Sequence, residues 1–209
     1  MKYAHTDQLQ AEYQQKRNAV RKRLKEFRQV PREKYFYELI YCLMTPQSSA
    51  VNAGRAQRAF EESGFRYNSV DPLPILADRR HYIRFHNTKS ARITAMKLQY
   101  DEIEALLHSS VTAAEKRDWL VRHVNGISMK EATHLLRNIG MNDGLAILDR
   151  HILKNLVYHR VIRSIPKTVT AKRYLSIEGR FRRFAQAVSI TVDELDLLFW
   201  SREAGKILK

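Results

Sequence analysis

Cysteine is almost missing from this 209-residue chain, with Cys42 its single instance. One thiol excludes an intramolecular disulfide and any four-cysteine zinc or iron-sulfur centre. Cys42 stands inside the apolar run YELIYCLM, where it reads as a small buried hydrophobe rather than a nucleophile. Apolar runs of membrane-spanning length are missing too, and the opening MKYAHTDQLQ carries neither a secretion nor a lipidation pattern. We therefore expect a cytoplasmic protein with no membrane partner. Glycine and proline are sparse, at seven and five residues, and no repeat or low-complexity linker occurs. Connections between elements should accordingly be short.

Acidic side chains are the remaining shortage. Asp and Glu total 22 against 37 Lys and Arg, a formal net charge of +15. Solubility needs far less, so the excess points to a polyanionic partner, nucleic acid first. With 44% hydrophobic and 28% charged residues, the chain has material for one compact domain or two small lobes sharing a core.

What is present is a helical period, with almost no strand signal, and it predicts an all-α fold. Leu9, Tyr13, Val20, Leu24 and Phe27 share one face of a long first helix whose other face carries Lys16, Arg17, Arg21, Lys22, Arg23, Lys25 and Arg28; Pro31 closes it. Tyr35, Phe36, Leu39, Ile40 and Leu43 mark a second helix that must stop before Pro46. Met96, Tyr100, Ile103 and Leu107 predict one further helix. Ala132, Leu135, Leu136 and Ile139 predict another, with Gly140 as its C-cap. The basic stretch KRYLSIEGRFRR reads, like the first helix, either as a solvated face or as a source of contacts to a nucleic-acid backbone.

The stretch WLVRHVNGISMKEATHLL reads as helix, tight turn at Asn125-Gly126-Ile127-Ser128, and second helix from about Met129. Gly126 permits a positive φ, and the unpaired amides of the turn and the following helix start form a site for one phosphate. Lys130 then stands where the helix dipole disfavours a cation. At an ordinary pKa only about one lysine in 2,500 is neutral at pH 7, and the dipole with partial burial would ease loss of the proton. Lys130 is thus either an activated nucleophile or a plain phosphate contact. Asp149, after GLAIL and before RHILKNLVYH, is a natural N-cap and equally a carboxylate able to accept a proton or stabilise a sugar cation.

NGISMKEATHLLRNIG followed by LAILDRHIL resembles the helix-hairpin-helix and catalytic aspartate of the DNA glycosylase superfamily that includes endonuclease III. Within it, the likeness is to the archaeal and bacterial 8-oxoguanine DNA glycosylase/AP lyase subfamily. YCLMTPQSSA, RFHNTKSARI, IPKTVTAKRYL and LDLLFWSREAGKILK extend it over most of the chain from about residue 35 onward. The resemblance implies two helical lobes, about 31–125 and about 1–30 plus 141–209, with the hairpin of about 115–139 at the cleft between them. It also implies that Lys130 attacks C1′ of a flipped 2′-deoxynucleotide, releases the base and forms a Schiff base, with Asp149 as catalytic carboxylate. β-Elimination then cuts the strand, without a cofactor. The implied partner is double-stranded DNA containing oxidised guanine or abasic sites, met at the nucleoid by a monomer.

Two departures accompany the likeness. Family hairpins commonly end their turn in a second glycine, whereas this one has Ser128; a positive φ there would strain serine by roughly 1 kcal/mol. The iron-sulfur motif of endonuclease III has no counterpart, since Cys42 stands alone. An 8-oxoguanine pocket needs an acceptor for N7–H and flat faces for the ring. By the resemblance Phe85 and Trp200 are candidates to stack the base, each otherwise a core residue, and Lys209 is a candidate to meet it, through its terminal carboxylate. Trp119 is expected to pack in the core. His134, His151 and His159 lack companions at a metal-ligand spacing, so no metal is expected, although His151 could orient Asp149. Gln47 and Asn87 lie in loops that could fill the gap left by a flipped base. Two other functions stay open: an endonuclease III-like glycosylase for oxidised pyrimidines, and a non-catalytic helix-hairpin-helix DNA-binding module.

Overall fold

A computed structural model describes residues 3–205, without the side chains of 203 and 204. Among these residues every regular element is helical, as the period predicts. The helices are α1 (Thr6–Arg28), α2 (Tyr35–Met44), α3 (Ala50–Glu62), α4 (Pro72–Ala77), α5 (His86–Leu98), α6 (Tyr100–His108), α7 (Ala113–His123), α8 (Met129–Asn138), α9 (Arg150–Tyr158), α10 (Ala171–Ala187) and α11 (Val192–Ala204), with a 3-10 turn at Arg32–Lys34. The chain divides into two compact units, one of residues up to 29 with those from 136 onward, the other of residues 30–135.

In the first unit, α1, α9 and α10 pack on α11. Leu9, Tyr13, Val20 and Phe27 form the buried stripe of α1. The polar side of α1 is not simply solvated. Arg21 Nε donates to Glu194 at 2.8 Å and Tyr13 Oη donates to the same oxygen at 2.7 Å. Burial alone would raise Glu194, but these bonds and its capping box with Thr191 outweigh it and hold the carboxylate below its usual range. Gly140 ends α8 as predicted: at φ 72°, its N–H bonds the carbonyl of Arg137 at 3.0 Å while that of Met141 reaches Leu136 at 2.7 Å. A Cβ there would stand 2.5 Å from Arg28 Cα, so glycine is required twice over.

In the second unit, α2 is buried along its whole length and packs on α3 and α5. Its one carboxylate, Glu38, accepts from Gln57 at 3.0 Å. The single helix expected around Met96 and Tyr100 is instead two, because Gln99 (φ −103°, ψ 12°) leaves helical values between α5 and α6. All four apolar positions are nonetheless buried, since a turn between consecutive helices keeps them on one side. Trp119 also corrects the sequence reading. The buried face of α7 is Ala113, Lys116, Arg117 and Leu120, so Trp119 falls beside it, half-buried and stacked on His123 at 4.4 Å.

Candidate functional site

The turn between α7 and α8 is closed by the Ile127 N–H on the carbonyl of Val124 at 3.1 Å, with Gly126 at φ 92°. A Cβ on Gly126 would lie 2.6 Å from Arg92 Cδ, so the α5 arginine lies directly against the hairpin. Sequence reasoning missed Arg92, because nothing in the period brings α5 to that turn. Ser128 is not in the left-handed region, so the strain considered for it is absent. It caps α8 instead: its carbonyl accepts the Ala132 N–H at 2.9 Å, and its hydroxyl bonds the Glu131 carboxylate. The Ser-x-x-Glu spacing was a legible capping signal.

Lys130 follows in the first turn of α8. Its side chain is 24% exposed, and Nζ is 3.4 Å from Glu131 Oε1. The adjacent anion offsets the unfavourable dipole and answers how a cation is tolerated there. Glu131, itself a second residue missed by the sequence reading, thus bridges the hairpin cap and the lysine.

Asp149 is the N-cap of α9. Its Oδ1 accepts the His151 and Ile152 N–H groups, both at 2.8 Å, while Oδ2 accepts Trp200 Nε1–H at 3.1 Å. The His151 bond comes from the main chain, as any residue at that position would give, and not from the imidazole. The strand of loop before Asp149 is clamped by α10: Ala146 N–H donates to Glu178 at 2.8 Å, and Leu148 N–H to Tyr174 Oη at 3.2 Å. Trp200 is half-buried on α11, and its indole is a hydrogen-bond donor to the capping carboxylate, a role the sequence did not disclose. Two residues on, Arg202 locks α11 to its neighbours by bonds to Glu12 at 2.7 and 2.9 Å and to Asn155.

Phe85 is not a core residue. It is 52% exposed, at φ 59°, with the Arg84 guanidinium 5.5 Å from its ring. Gln47 is also exposed and left-handed, at φ 56°. One buried lysine braces both segments. Lys89 Nζ donates to the carbonyls of Met44 and Pro46 at 2.7 Å and to Ser48 Oγ at 3.0 Å, while the Arg84 N–H reaches the same hydroxyl at 3.1 Å. Burial, then the cations of Arg92 and Arg84, bring Lys89 down to about 8. Lys89, Ile93 and Met96 form the buried stripe of α5, so a lysine on an apolar period was the available signal. Lys209 lies outside the described residues.

His159 is fully buried, its ring stacked 5.4 Å from both Phe184 and Phe199. It meets the Ala4 carbonyl through Nδ1 at 2.9 Å and the Arg202 guanidinium through Nε2 at 3.3 Å. A guanidinium only donates, so Nε2 accepts and Nδ1 carries the proton. His134 packs edge-on against Tyr41. Among the described residues no three His, Cys, Asp or Glu side chains gather as a metal would need, and no helix is long and apolar enough to cross a membrane.

The helical architecture and the hairpin between α7 and α8 define a helix-hairpin-helix fold. The model of the Ogg-HhH family, 8-oxoguanine DNA glycosylase, matches residues 20–190, and the chain belongs to that family. It is 37% identical to the 8-oxoguanine DNA glycosylase/AP lyase of Fusobacterium nucleatum, with 100% of this chain and 99% of that protein covered. The protein of the same name from Methanocaldococcus jannaschii is 34% identical over 88% of this chain and 87% of its own length. Among solved structures, the 8-oxoguanine DNA glycosylase of Thermotoga maritima superposes with a TM-score of 0.84 at 30% identity, over 98% of each chain. The M. jannaschii 8-oxoguanine glycosylase/lyase in complex with a 15mer DNA containing 8-oxoguanine gives a TM-score of 0.84 at 30% identity, covering 97% of this chain and 100% of that one.

Proposed function

We propose that this chain excises 8-oxoguanine from double-stranded DNA and cleaves the strand at the resulting abasic site. The observation that carries the reading is Lys130 at the start of the second hairpin helix of a chain in this family, beside a carboxylate that can take its proton. The neutral amine attacks C1′ of a flipped nucleotide as the glycosidic bond breaks, and the base leaves with the bonding electrons and is protonated. Ring opening gives the imine, and loss of a C2′ proton expels the 3′ phosphate. Glu131 is the acceptor for the ammonium proton, and Asp149 is the carboxylate that offsets positive charge developing on the sugar. The hairpin turn at Gly126 and Ser128, with Arg92 beside it, holds a backbone phosphate.

Base recognition is assigned to Phe85 and Trp200 as stacking faces and to Lys209 as the group that meets the lesion. The scheme uses no cofactor, one chain suffices for it, and its place of action is the nucleoid. An oxidised-pyrimidine glycosylase and a non-catalytic binder are not favoured, since the relatives are named as 8-oxoguanine DNA glycosylase/AP lyases.

The test is borohydride trapping on a duplex with one 8-oxoguanine, beside an undamaged duplex and a Lys130→Gln control. A covalent adduct only with the lesion and only with Lys130 is expected. Trapping by the Gln variant would reassign the nucleophile, and trapping on abasic but never on 8-oxoguanine DNA would refute the substrate.

A further inference from the structure

The first unit carries a second set of cations, at the end of α9 remote from Asp149. Arg160, Arg163, Arg180 and Arg183 line an open concavity of about 520 Å³ with Tyr3 and Val161. A neighbouring concavity of about 310 Å³ shares Arg163 and Arg180 and adds Arg173. No carboxylate is among the residues lining either, and no ion pair among the described residues engages those first four arginines. On α1, by contrast, Lys16, Arg21 and Arg23 each have an acidic partner.

Two further observations set this surface apart from an ordinary solvated face. Arg160 occupies the left-handed position just beyond α9, at φ 57°, where the Val161 N–H closes back on Leu156 at 2.8 Å. Glycine takes that position without strain, yet an arginine stands there and faces the concavity. On α10, Arg173, Arg180 and Arg183 are seven and three residues apart, which places them on one side of the helix over about 15 Å. A single phosphate engages one end of such a row. One strand of a duplex presents about four phosphates over the same length, and guanidinium groups suit phosphodiester oxygens. Asp149 caps the start of the nine-residue α9 and Arg160 follows its end, so about 14 Å of helix separates the row from that carboxylate.

We infer that the concavities lined by Arg160, Arg163, Arg173, Arg180 and Arg183 form a second nucleic-acid backbone site, which holds one DNA segment while another is engaged elsewhere on the chain. Its consequence is direct transfer between segments without full dissociation. The inference does not depend on the glycosylase reading, because its readout is DNA exchange rather than base release.

The experiment follows release of a labelled short undamaged duplex as unlabelled duplex is added at constant ionic strength. The wild-type chain should release it several-fold faster as competitor rises. The combined variant Arg160→Gln, Arg163→Gln, Arg180→Gln and Arg183→Gln should release it at a rate independent of competitor, with its affinity for the labelled duplex unchanged. The matching four-lysine variant should keep most of the acceleration, and thermal melts of both establish folding. Acceleration equal in the Gln variant, or absent from the wild type, overturns the inference. A proportional loss of affinity for the first duplex would do so too, by placing these arginines in the primary contact. Finally, if inorganic pyrophosphate raises the melting temperature of the wild type but not of the Gln variant, while competitor has no effect, the site takes small phosphates and the nucleic-acid assignment fails.

Discussion

Lys130 and Asp149 stand at corresponding places, each at the start of a helix, yet they are held very differently. The lysine has an ion pair to its sequence neighbour at 3.4 Å and retains 24% of its side-chain exposure. The aspartate has both oxygens engaged, one by two backbone amides and the other by the indole of Trp200. A nucleophile must shed a proton, move toward carbon and later release it, so a loose tether suits it. A carboxylate that answers developing charge works best when its orientation costs nothing at the moment of reaction. The contrast is therefore what the proposed chemistry asks of each group.

Replacing Lys130 by Gln should have the largest effect: base release and strand cleavage fall below detection while duplex binding persists. Both activities surviving in that variant would remove the lysine from the chemistry. Asp149→Asn comes next. The amide oxygen can still accept from His151 and Ile152, although the amide nitrogen cannot accept from Trp200 Nε1–H, so melting should fall less than on loss of the whole cap, while base release slows by about 10²- to 10⁴-fold. Asp149→Ala removes the cap as well, at about 1 kcal/mol, or about 2–4 °C in Tm for a chain of this size. If the Asn and Ala variants lose stability alike, the residue is only a cap and the contrast with Lys130 collapses.

Trp200 sharpens the same comparison. Trp200→Phe keeps an aromatic face but deletes the donor to Oδ2, and should slow base release roughly tenfold, the equivalent of about 1.4 kcal/mol. Trp200→Leu removes the face too. Additional loss of discrimination between 8-oxoguanine and guanine in the Leu variant alone would separate stacking from positioning, whereas equal behaviour of the two variants leaves only the hydrogen bond.

Much of this was legible one residue at a time. The periods of α1 and α2, the glycine that ends α8, the turn at Gly126 and the N-cap at Asp149 all depend on neighbours within a few positions, and local pattern reports those. What was not legible involves partners far apart in the chain. Trp200 meets Asp149 across 51 positions and Lys89 reaches Met44 across 45. Composition cannot say which cations are already engaged, so the basic faces of α1 and α10 looked equivalent, although Lys16, Arg21 and Arg23 on α1 each have an acidic partner and Arg180 and Arg183 on α10 have none among the described residues. Gln99 shows the complementary failure: the apolar spacing continues through it while the backbone does not, because burial constrains the side chains and leaves the chain between them free to turn.

The smallest expected effect lies at the far end of the helix that Asp149 caps. His159 is held neutral there, chiefly by burial, with its pKa lowered from the ordinary 6.5. In the window just below that value the unfolded chain binds a proton that the folded chain refuses, so the contribution to stability is complete above about 6.5 and is lost as pH falls below it. His159→Gln cannot titrate. It should melt lower than the wild type at every pH, having lost the ring between Phe184 and Phe199, but its Tm should decline less between about pH 7.5 and 5. The chain has eight histidines, so the difference between the two curves is the measure rather than either slope. Parallel curves would mean that His159 accepts its proton without loss of stability.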